Sequence, residues 1–202
     1  MSDPRFDERA ATWDEDPSKV DRARAVAAAI RSAVDLSDRP RMLEYGAGTG
    51  LLTQELRDTV GHVTLMDASE GMLEVLRSKV DSGVIPDAEV HRLDLTTDAI
   101  PEARFGLIVT LMTLHHIDDV PRILETFAQL LEVGGHLCIA DLVQEDGSYH
   151  GEDFHGHDGF ASDELESWLH EAGFTSVGFD ICYRITRKSG REYDLFLATC
   201  SR

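Results

Sequence analysis

The chain has 202 residues, of which 42% are hydrophobic and 28% are charged, so it carries enough apolar material for a substantial core and is neither a disordered tail nor a disulfide-dependent miniprotein. The 38 acidic residues outnumber the 19 lysines and arginines, which gives a formal charge of −19 at pH 7. Because such a charge repels a phosphate backbone at long range, nucleic acids and anionic membranes are poor partners.

Apolar residues along the chain alternate between short runs typical of β-strands and longer stretches with helical spacing. In chain order the pattern predicts a helix at 20–34, strand 41–45, helix 51–59, strand 62–67, helix 70–80, strands 89–94 and 105–110, helix 120–131, strand 136–142, helix 162–172, and strands 177–186 and 193–200. This order predicts an α/β fold with a doubly wound, mainly parallel sheet of seven strands, helices on both faces and a C-terminal antiparallel hairpin at one edge.

Local signals mark where these elements begin and end. Ser69 is a helix N-cap, because its hydroxyl can accept a hydrogen bond from a free N–H of the first helical turn. Asp118 or Asp119 is expected to cap the fourth helix in the same way. Gly134 and Gly135 are expected to end that helix, before the fifth strand begins. Since the carboxyl ends of parallel strands lie at one edge of the sheet, we expect a ligand crevice at that edge.

A glycine-rich turn directly follows the first predicted strand. Gly46, Gly48 and Gly50 alternate there, which lets the backbone turn tightly and approach a ligand, although a turn that only reverses the chain is the structural alternative. Asp67 ends the second strand 17 residues after Gly50, where its carboxylate can accept hydrogen bonds from both hydroxyls of a ribose. A dinucleotide fingerprint would need glycine or alanine at Leu51. The pattern therefore favours a nucleoside ligand without phosphates, such as S-adenosylmethionine.

The pattern Glu44-x-Gly46-x-Gly48-x-Gly50 resembles the first motif of class I S-adenosylmethionine-dependent methyltransferases. Further segments that resemble this family follow in the same order, at residues 93–95, 111–118, 130–135 and 169–174. The resemblance extends from residue 6 nearly to the end of the chain. Within the family the chain is most similar to the small-molecule branch that includes the ubiquinone and menaquinone biosynthesis methyltransferases.

This resemblance implies roles for individual side chains. Asp67 resembles the acid that binds the ribose hydroxyls, and Asp94 resembles the acid that hydrogen-bonds the adenine amine. Trp13 falls in a lid segment, residues 6–13, where an aromatic residue can cover the cofactor; helix packing is an equally weighted alternative for it. The cofactor-binding residues that the resemblance implies are Trp13, Glu44, Gly46, Ala47, Gly48, Gly50, Asp67, Ala68, Asp94, Leu95 and Leu111.

The resemblance also implies a domain organisation and an activity. We expect a single Rossmann-like methyltransferase domain over residues 1–202 that moves a methyl group from S-adenosyl-L-methionine to an unidentified small-molecule acceptor. Its expected parts are an N-terminal helical lid at 1–36, a cofactor-binding core at 40–145, an acceptor-side loop at 146–161 and a C-terminal helix with hairpin at 162–202. A non-catalytic cofactor-binding protein with a regulatory or assembly role is the alternative, and an NAD-dependent reductase is disfavoured by Leu51.

Two adjacent histidines follow the fourth predicted strand, where the resemblance places the transferred methyl group. His115 or His116 can act as a general base or hydrogen-bond the acceptor, because imidazole titrates near neutral pH. A packing or surface role within a common loop is the alternative. We expect at least one of the two to be catalytic.

A second group of histidines and acids lies between residues 149 and 160. His150, His155 and His157 are candidate substrate-binding residues, because this loop follows the fifth strand on the side where the resemblance places the acceptor pocket. A solvated polar loop is the plainer alternative, and a metal site is a third. We expect no metal ligands here.

The three cysteines, Cys138, Cys182 and Cys200, are widely spaced and lack the spacing of a disulfide framework or a structural zinc site. The N-terminal residues show no secretory pattern, and no apolar run reaches the roughly 18 residues of a membrane span. We therefore expect a soluble, cytoplasmic protein with no membrane or nucleic-acid partner. The sequence leaves the oligomeric state open.

Overall fold

The computed structural model describes residues 4–151 and 154–202. The helices are α1 Pro4–Arg9, α2 Pro17–Ala33, α3 Leu51–Leu56, α4 Glu70–Asp81, α5 Val120–Leu130 and α6 Ser162–Glu171, with short 3-10 helices at Ala10–Glu15, Arg57–Thr59 and Leu114–His116. The strands are β1 Met42–Tyr45, β2 Val63–Asp67, β3 Ala88–Arg92, β4 Phe105–Leu111, β5 Leu131–Leu142, β6 Thr175–Thr186 and β7 Glu192–Ser201.

The seven strands form one sheet in the order β3-β2-β1-β4-β5-β7-β6. The first five strands in this order pair in parallel, and β7 pairs antiparallel with both β5 and β6. The predicted doubly wound sheet with a C-terminal hairpin is therefore confirmed. Because β1 to β5 run in one direction, the residues that follow them lie at a common edge.

Apolar side chains from both faces of the sheet form the core. One large cluster includes Phe105, Phe127 and Phe174, and a second includes Ile30 and Leu52. All four residues of β1 are buried, as expected for a parallel strand covered by helices on both sides. The rigid centre of the sheet thus fixes the positions of the turns at its edge.

The helix caps agree with the sequence at two places. The Ser69 hydroxyl accepts a hydrogen bond from the Met72 N–H at 3.3 Å, and the Asp119 carboxylate accepts one from the Arg122 N–H at 3.1 Å. Asp119 is therefore the cap of α5, and the choice that the sequence left open with Asp118 is settled.

The prediction that Gly134 and Gly135 end α5 is wrong. The helix ends at Leu130, and β5 begins at the next residue. The Gly134 N–H donates to the Arg202 carbonyl at 2.9 Å, and the Arg202 N–H donates to the Gly135 carbonyl at 3.1 Å. Hydrogen bonds to Arg202, which is distant in sequence, thus hold the two glycines in a strand. The local sequence pattern cannot predict such a contact.

The N-terminal helices pack against α4. The Asp7 carboxylate accepts hydrogen bonds from the Ser69 hydroxyl at 2.5 Å and the Gly71 N–H at 2.9 Å. A Cβ on Gly71 would lie 2.8 Å from the Asp7 Cα, so glycine permits the close approach. Across the described ranges, 4–151 and 154–202, no helix has the length and apolar character needed to cross a membrane.

Candidate functional site

The glycine-rich turn after β1 has left-handed backbone at all three predicted glycines. The φ angles are +70° at Gly46, +54° at Gly48 and +78° at Gly50. A Cβ on Gly46 would overlap the Thr113 side chain, whereas a Cβ on Gly48 would have no neighbour nearer than the Met72 Sδ at 4.0 Å. Space for a ligand therefore opens in front of Gly48, while Gly46 is needed for packing.

Asp67 binds this turn directly. One carboxylate oxygen accepts the Gly48 N–H at 2.7 Å, and the other accepts the Ser69 N–H at 2.8 Å. Burial raises the pKa of Asp67 above its usual range, although the backbone N–H donors oppose this shift. Each carboxylate oxygen still has a lone pair for a further donor such as a ribose hydroxyl.

Glu44 lies beneath the turn and does not face the open space. Its side chain is buried, and one carboxylate oxygen accepts hydrogen bonds from the Thr53 N–H and hydroxyl. Burial raises the pKa of Glu44 to about 7. In this position Glu44 satisfies a free N–H in the first turn of α3 and holds the helix against β1.

The segment after β3 lies beside Asp67. The Leu93 N–H donates to the Asp67 carbonyl at 3.2 Å, so Asp94 follows within one residue of this contact. The Asp94 carboxylate accepts the Thr96 N–H at 3.0 Å and the Thr96 hydroxyl at 2.5 Å. Leu95 is buried in the core cluster. The structure thus brings the turn and both predicted acids to one edge.

The other predicted cofactor-binding residues lie at the same strand ends. Ala47 is buried and its N–H donates to the Met66 carbonyl at 3.0 Å. Ala68 directly follows Asp67. Leu111 is the last residue of β4, and its carbonyl accepts a hydrogen bond from the Thr113 hydroxyl at 3.2 Å.

Trp13 is packed between cations in the N-terminal segment. Its ring lies 3.9 Å from the Lys19 Nζ and 5.3 Å from the Arg9 guanidinium carbon, measured to the ring centroid. The Phe6 ring packs on it at 5.9 Å between centroids. These contacts give Trp13 a packing role; whether it also covers a cofactor stays a prediction.

Asp14, the residue after Trp13, fastens the N-terminal segment to the glycine turn. Its carboxylate accepts the Thr49 hydroxyl at 2.5 Å and forms an ion pair with Lys79, also at 2.5 Å. Lys79 donates in turn to the Thr49 carbonyl at 2.7 Å. No local pattern predicts this contact, because Asp14 and Lys79 are 65 residues apart in the chain.

A buried histidine–carboxylate pair lies at the end of β4 and β5. The Nδ1 of His115 is 2.6 Å from an Asp141 carboxylate oxygen, and the His115 N–H donates to the other oxygen at 3.3 Å. Burial of this carboxyl opposes its ionisation, but the charge and hydrogen bonds of His115 keep the pKa of Asp141 below its usual range. Within the part of the chain that the structure describes, the buried Nε2 of His115 has no hydrogen-bond partner.

His116 and His150 complete a histidine cluster with His115. The ring centroid of His115 lies 4.1 Å from that of His116 and 4.9 Å from that of His150. The centroids of His116 and His150 are 5.5 Å apart. The Phe154 ring stacks on His150 at 3.8 Å, and the Phe6 ring meets His116 edge-on at 5.3 Å. Aromatic rings therefore flank the cluster, in which His115 is buried and His116 and His150 are partly exposed.

The remaining two candidate histidines are placed differently. His155 is exposed. The Nε2 of His157 donates to the Ile117 carbonyl at 3.0 Å, and the His157 N–H donates to the His115 carbonyl at 2.8 Å. His157 thus holds its loop beside His115 and Ile117 through one side-chain and one backbone hydrogen bond.

Asp141 and Phe154 are the site residues that the sequence analysis missed. Asp141 lies in the apolar run at 137–142, and an acid inside a buried strand is the signal that could have identified it. Phe154 has no comparable signal, because its position depends on how the loop folds back.

Comparisons with known proteins agree with this geometry. A family model described as a methyltransferase domain matches residues 18–178. The ubiquinone biosynthesis O-methyltransferase of Xylella fastidiosa (strain 9a5c) is 31% identical over 105 residues, which cover 50% of this chain and 42% of the relative. The chain spans half or less of the length of the curated relatives that it matches.

Two solved structures share the fold. A chain in the complex of the Haloferax volcanii Trm112 methyltransferase activator with a methyltransferase has a TM-score of 0.76 at 16% identity and covers 97% of this chain and 96% of that chain. Haemonchus contortus phosphoethanolamine N-methyltransferase 2 in complex with S-adenosyl-L-methionine has a TM-score of 0.64 at 13% identity and covers 80% of this chain and 48% of that chain. At these identities the similarity establishes the fold alone.

Proposed function

The chain belongs to the methyltransferase-domain family, and from this premise we propose that it transfers a methyl group from S-adenosyl-L-methionine to a small-molecule acceptor. The hydrogen bond of Asp67 to Gly48 is the observation that carries the proposal. This hydrogen bond joins the glycine turn to Asp67, the acid at the end of β2. A nucleoside would use the turn for close approach to the backbone and the carboxylate for its ribose hydroxyls.

The residues at this edge fit the adenosyl part of the cofactor. A Cβ on Gly48 would meet no atom nearer than 4.0 Å, so a nucleoside can approach the backbone there, and the Asp67 carboxylate can accept from its ribose hydroxyls. Asp94 lies next along the edge, and we assign it the hydrogen bond to the adenine amine. Glu44 supports the turn from below through Thr53, so we assign it an indirect role.

The acceptor is proposed to bind against His115 and His116. The Asp141 carboxylate requires a proton on the His115 Nδ1, so a ring that carries no second proton presents the lone pair of Nε2. That nitrogen can take a proton from an acceptor hydroxyl, thiol or amine. The contacts of Phe6 with His116 and of Phe154 with His150 hold these rings in place, which favours alignment of the reacting groups.

The cofactor, when bound, supplies a methyl group on a positively charged sulfur that leaves as a neutral thioether. The protein therefore needs no acid at the leaving group, and its tasks are to orient the two reactants and to receive the acceptor's proton. The formal charge of −19 disfavours a nucleic-acid acceptor and supports a small molecule.

Two measurements test the proposal. Calorimetry with S-adenosylhomocysteine should show one bound ligand per chain, and methyl-labelled S-adenosylmethionine should label a low-molecular-mass compound in a metabolite extract. Absence of S-adenosylhomocysteine binding at millimolar ligand would contradict the cofactor assignment. Binding without any labelled product would favour the regulatory or assembly alternative.

A further inference from the structure

The histidine cluster has the composition of a transition-metal site. His115, His116 and His150 each present a ring nitrogen, and these three nitrogens lie within 4.8 Å of one another. Nitrogens bound to a tetrahedral zinc ion at about 2.0–2.1 Å lie roughly 3.3 Å apart, so small rotations of the rings bring the set to ligand geometry. Imidazole is a preferred ligand of zinc, copper, nickel and iron.

The buried Nε2 of His115 distinguishes this side chain from a histidine that only packs in the core. The side chain is 1% exposed, and its Nε2 is buried without a hydrogen-bond partner among the described residues. Such a nitrogen loses its contact with water and gains no protein partner in return, which is unfavourable. A metal ion bound to Nε2 supplies the missing interaction.

Asp141 is placed as the outer partner that such a site requires. A metal-binding histidine usually donates its other ring N–H to a carboxylate, which fixes the ring and raises its basicity. The contact of 2.6 Å between the His115 Nδ1 and the buried Asp141 carboxylate has this geometry. Because Nδ1 is bound to Asp141, Nε2 is the nitrogen of His115 that remains for a metal ion.

We propose that His115, His116 and His150 bind a divalent transition-metal ion, with Asp141 orienting His115 from behind. Three protein ligands leave a fourth position for water or for the acceptor.

The acceptor's chemistry follows if the proposed methyl transfer is also correct. The fourth position then binds an oxygen or sulfur acceptor, whose proton passes to water because the metal lowers its pKa. A bond forms between that oxygen or sulfur and the methyl carbon, and the bond from the methyl carbon to the cofactor's sulfur breaks, giving S-adenosylhomocysteine. A bound metal ion occupies the lone pair of the His115 Nε2, so the proton-accepting role proposed above for that nitrogen applies only to the metal-free protein.

Titration with Co²⁺ tests the site directly. Protein freed of metal with a chelator should bind one Co²⁺ per chain and develop the visible absorption of a tetrahedral ion, which Zn²⁺ should abolish by displacement. His150→Ala should weaken binding at least about tenfold, as changes outside the ligand set already do so. His155→Ala, in the same loop but exposed, should leave the affinity unchanged.

The outcomes separate this site from the proposed function. S-adenosylhomocysteine binding, measured on the same samples, checks folding and the cofactor site. If the wild-type protein binds S-adenosylhomocysteine but neither Co²⁺ nor Zn²⁺, the metal site is wrong and the proposed methyl transfer stands. Binding of Co²⁺ with equal affinity in His150→Ala also overturns the site. Metal binding without S-adenosylhomocysteine binding contradicts the methyltransferase proposal alone.

Discussion

Replacement of Asp67 by alanine tests whether its carboxylate holds a ribose. The carboxylate oxygens accept from the Gly48 and Ser69 N–H groups, and each has one lone pair left for a ribose hydroxyl. A hydrogen bond to a charged group contributes about 1.5–3 kcal/mol. Loss of two such bonds should weaken S-adenosylhomocysteine binding by about 3–6 kcal/mol, which is roughly 10²- to 10⁴-fold.

Calorimetry with S-adenosylhomocysteine measures this loss, and Asp180→Ala is the matched control. Asp180 is exposed on β6, so its removal changes the net charge equally without touching the turn. Thermal unfolding of Asp67→Ala checks that the turn still folds, and Asp67→Asn gives a variant of the same shape. If folded Asp67→Ala binds the ligand within tenfold of the wild-type affinity, the carboxylate does not hold the ribose.

The pH dependence of S-adenosylhomocysteine binding provides a second test of the role of Asp67. Burial raises the pKa of Asp67, and the ribose hydroxyls need its ionised form. Acidification should therefore weaken S-adenosylhomocysteine binding at a pH above the usual aspartate range. In Asp67→Asn this pH dependence should disappear, and its persistence would assign the titration to another group.

Three further variants test the turn and the histidine pair. Burial raises the pKa of Glu44 from 4.5 to about 7, so between these pH values the folded state binds a proton that the unfolded state has lost. The free energy of unfolding should therefore fall by about 3 kcal/mol as pH rises through that window. Urea unfolding at several pH values should show this fall in the wild type but not in Glu44→Gln. In Gly46→Ala the new Cβ overlaps the Thr113 side chain, whereas in Gly134→Ala it meets nothing within 4 Å. Gly46→Ala should therefore lower the free energy of unfolding by about 1–3 kcal/mol more than Gly134→Ala does. Asp141→Asn should weaken Co²⁺ binding about 10- to 100-fold while S-adenosylhomocysteine affinity is unchanged.

Much of the fold follows from local pattern because the sheet is parallel and covered on both faces. Its strands must be apolar runs separated by helices, as at 105–110, and periodicity detects such runs. The start of β5 was missed because the contact between Gly134 and Arg202 joins the ends of two distant segments. The division of the chain into lid, core, loop and hairpin stays a prediction.

The proposed cofactor half and the proposed acceptor half of the site differ in how far the sequence predicts them. The turn at Gly48 and the acid Asp67 each follow a strand directly, so the parallel topology alone places them together. The histidine cluster, which is the proposed acceptor half, is assembled from the N-terminal Phe6, the end of β4, the end of β5 and the loop that carries His150. No local rule brings four such segments to one point.

This difference explains why the sequence identifies the cofactor and leaves the acceptor open. Groups fixed by the sheet edge can be recognised in any chain with the same topology, whereas the histidine cluster depends on a loop that this chain folds back through His157 and Phe154. A change in that loop alters the acceptor side and leaves Gly48 and Asp67 in place. Variants of His150 should therefore change metal or acceptor binding while the affinity for S-adenosylhomocysteine is kept, and loss of both would show that the two halves are coupled.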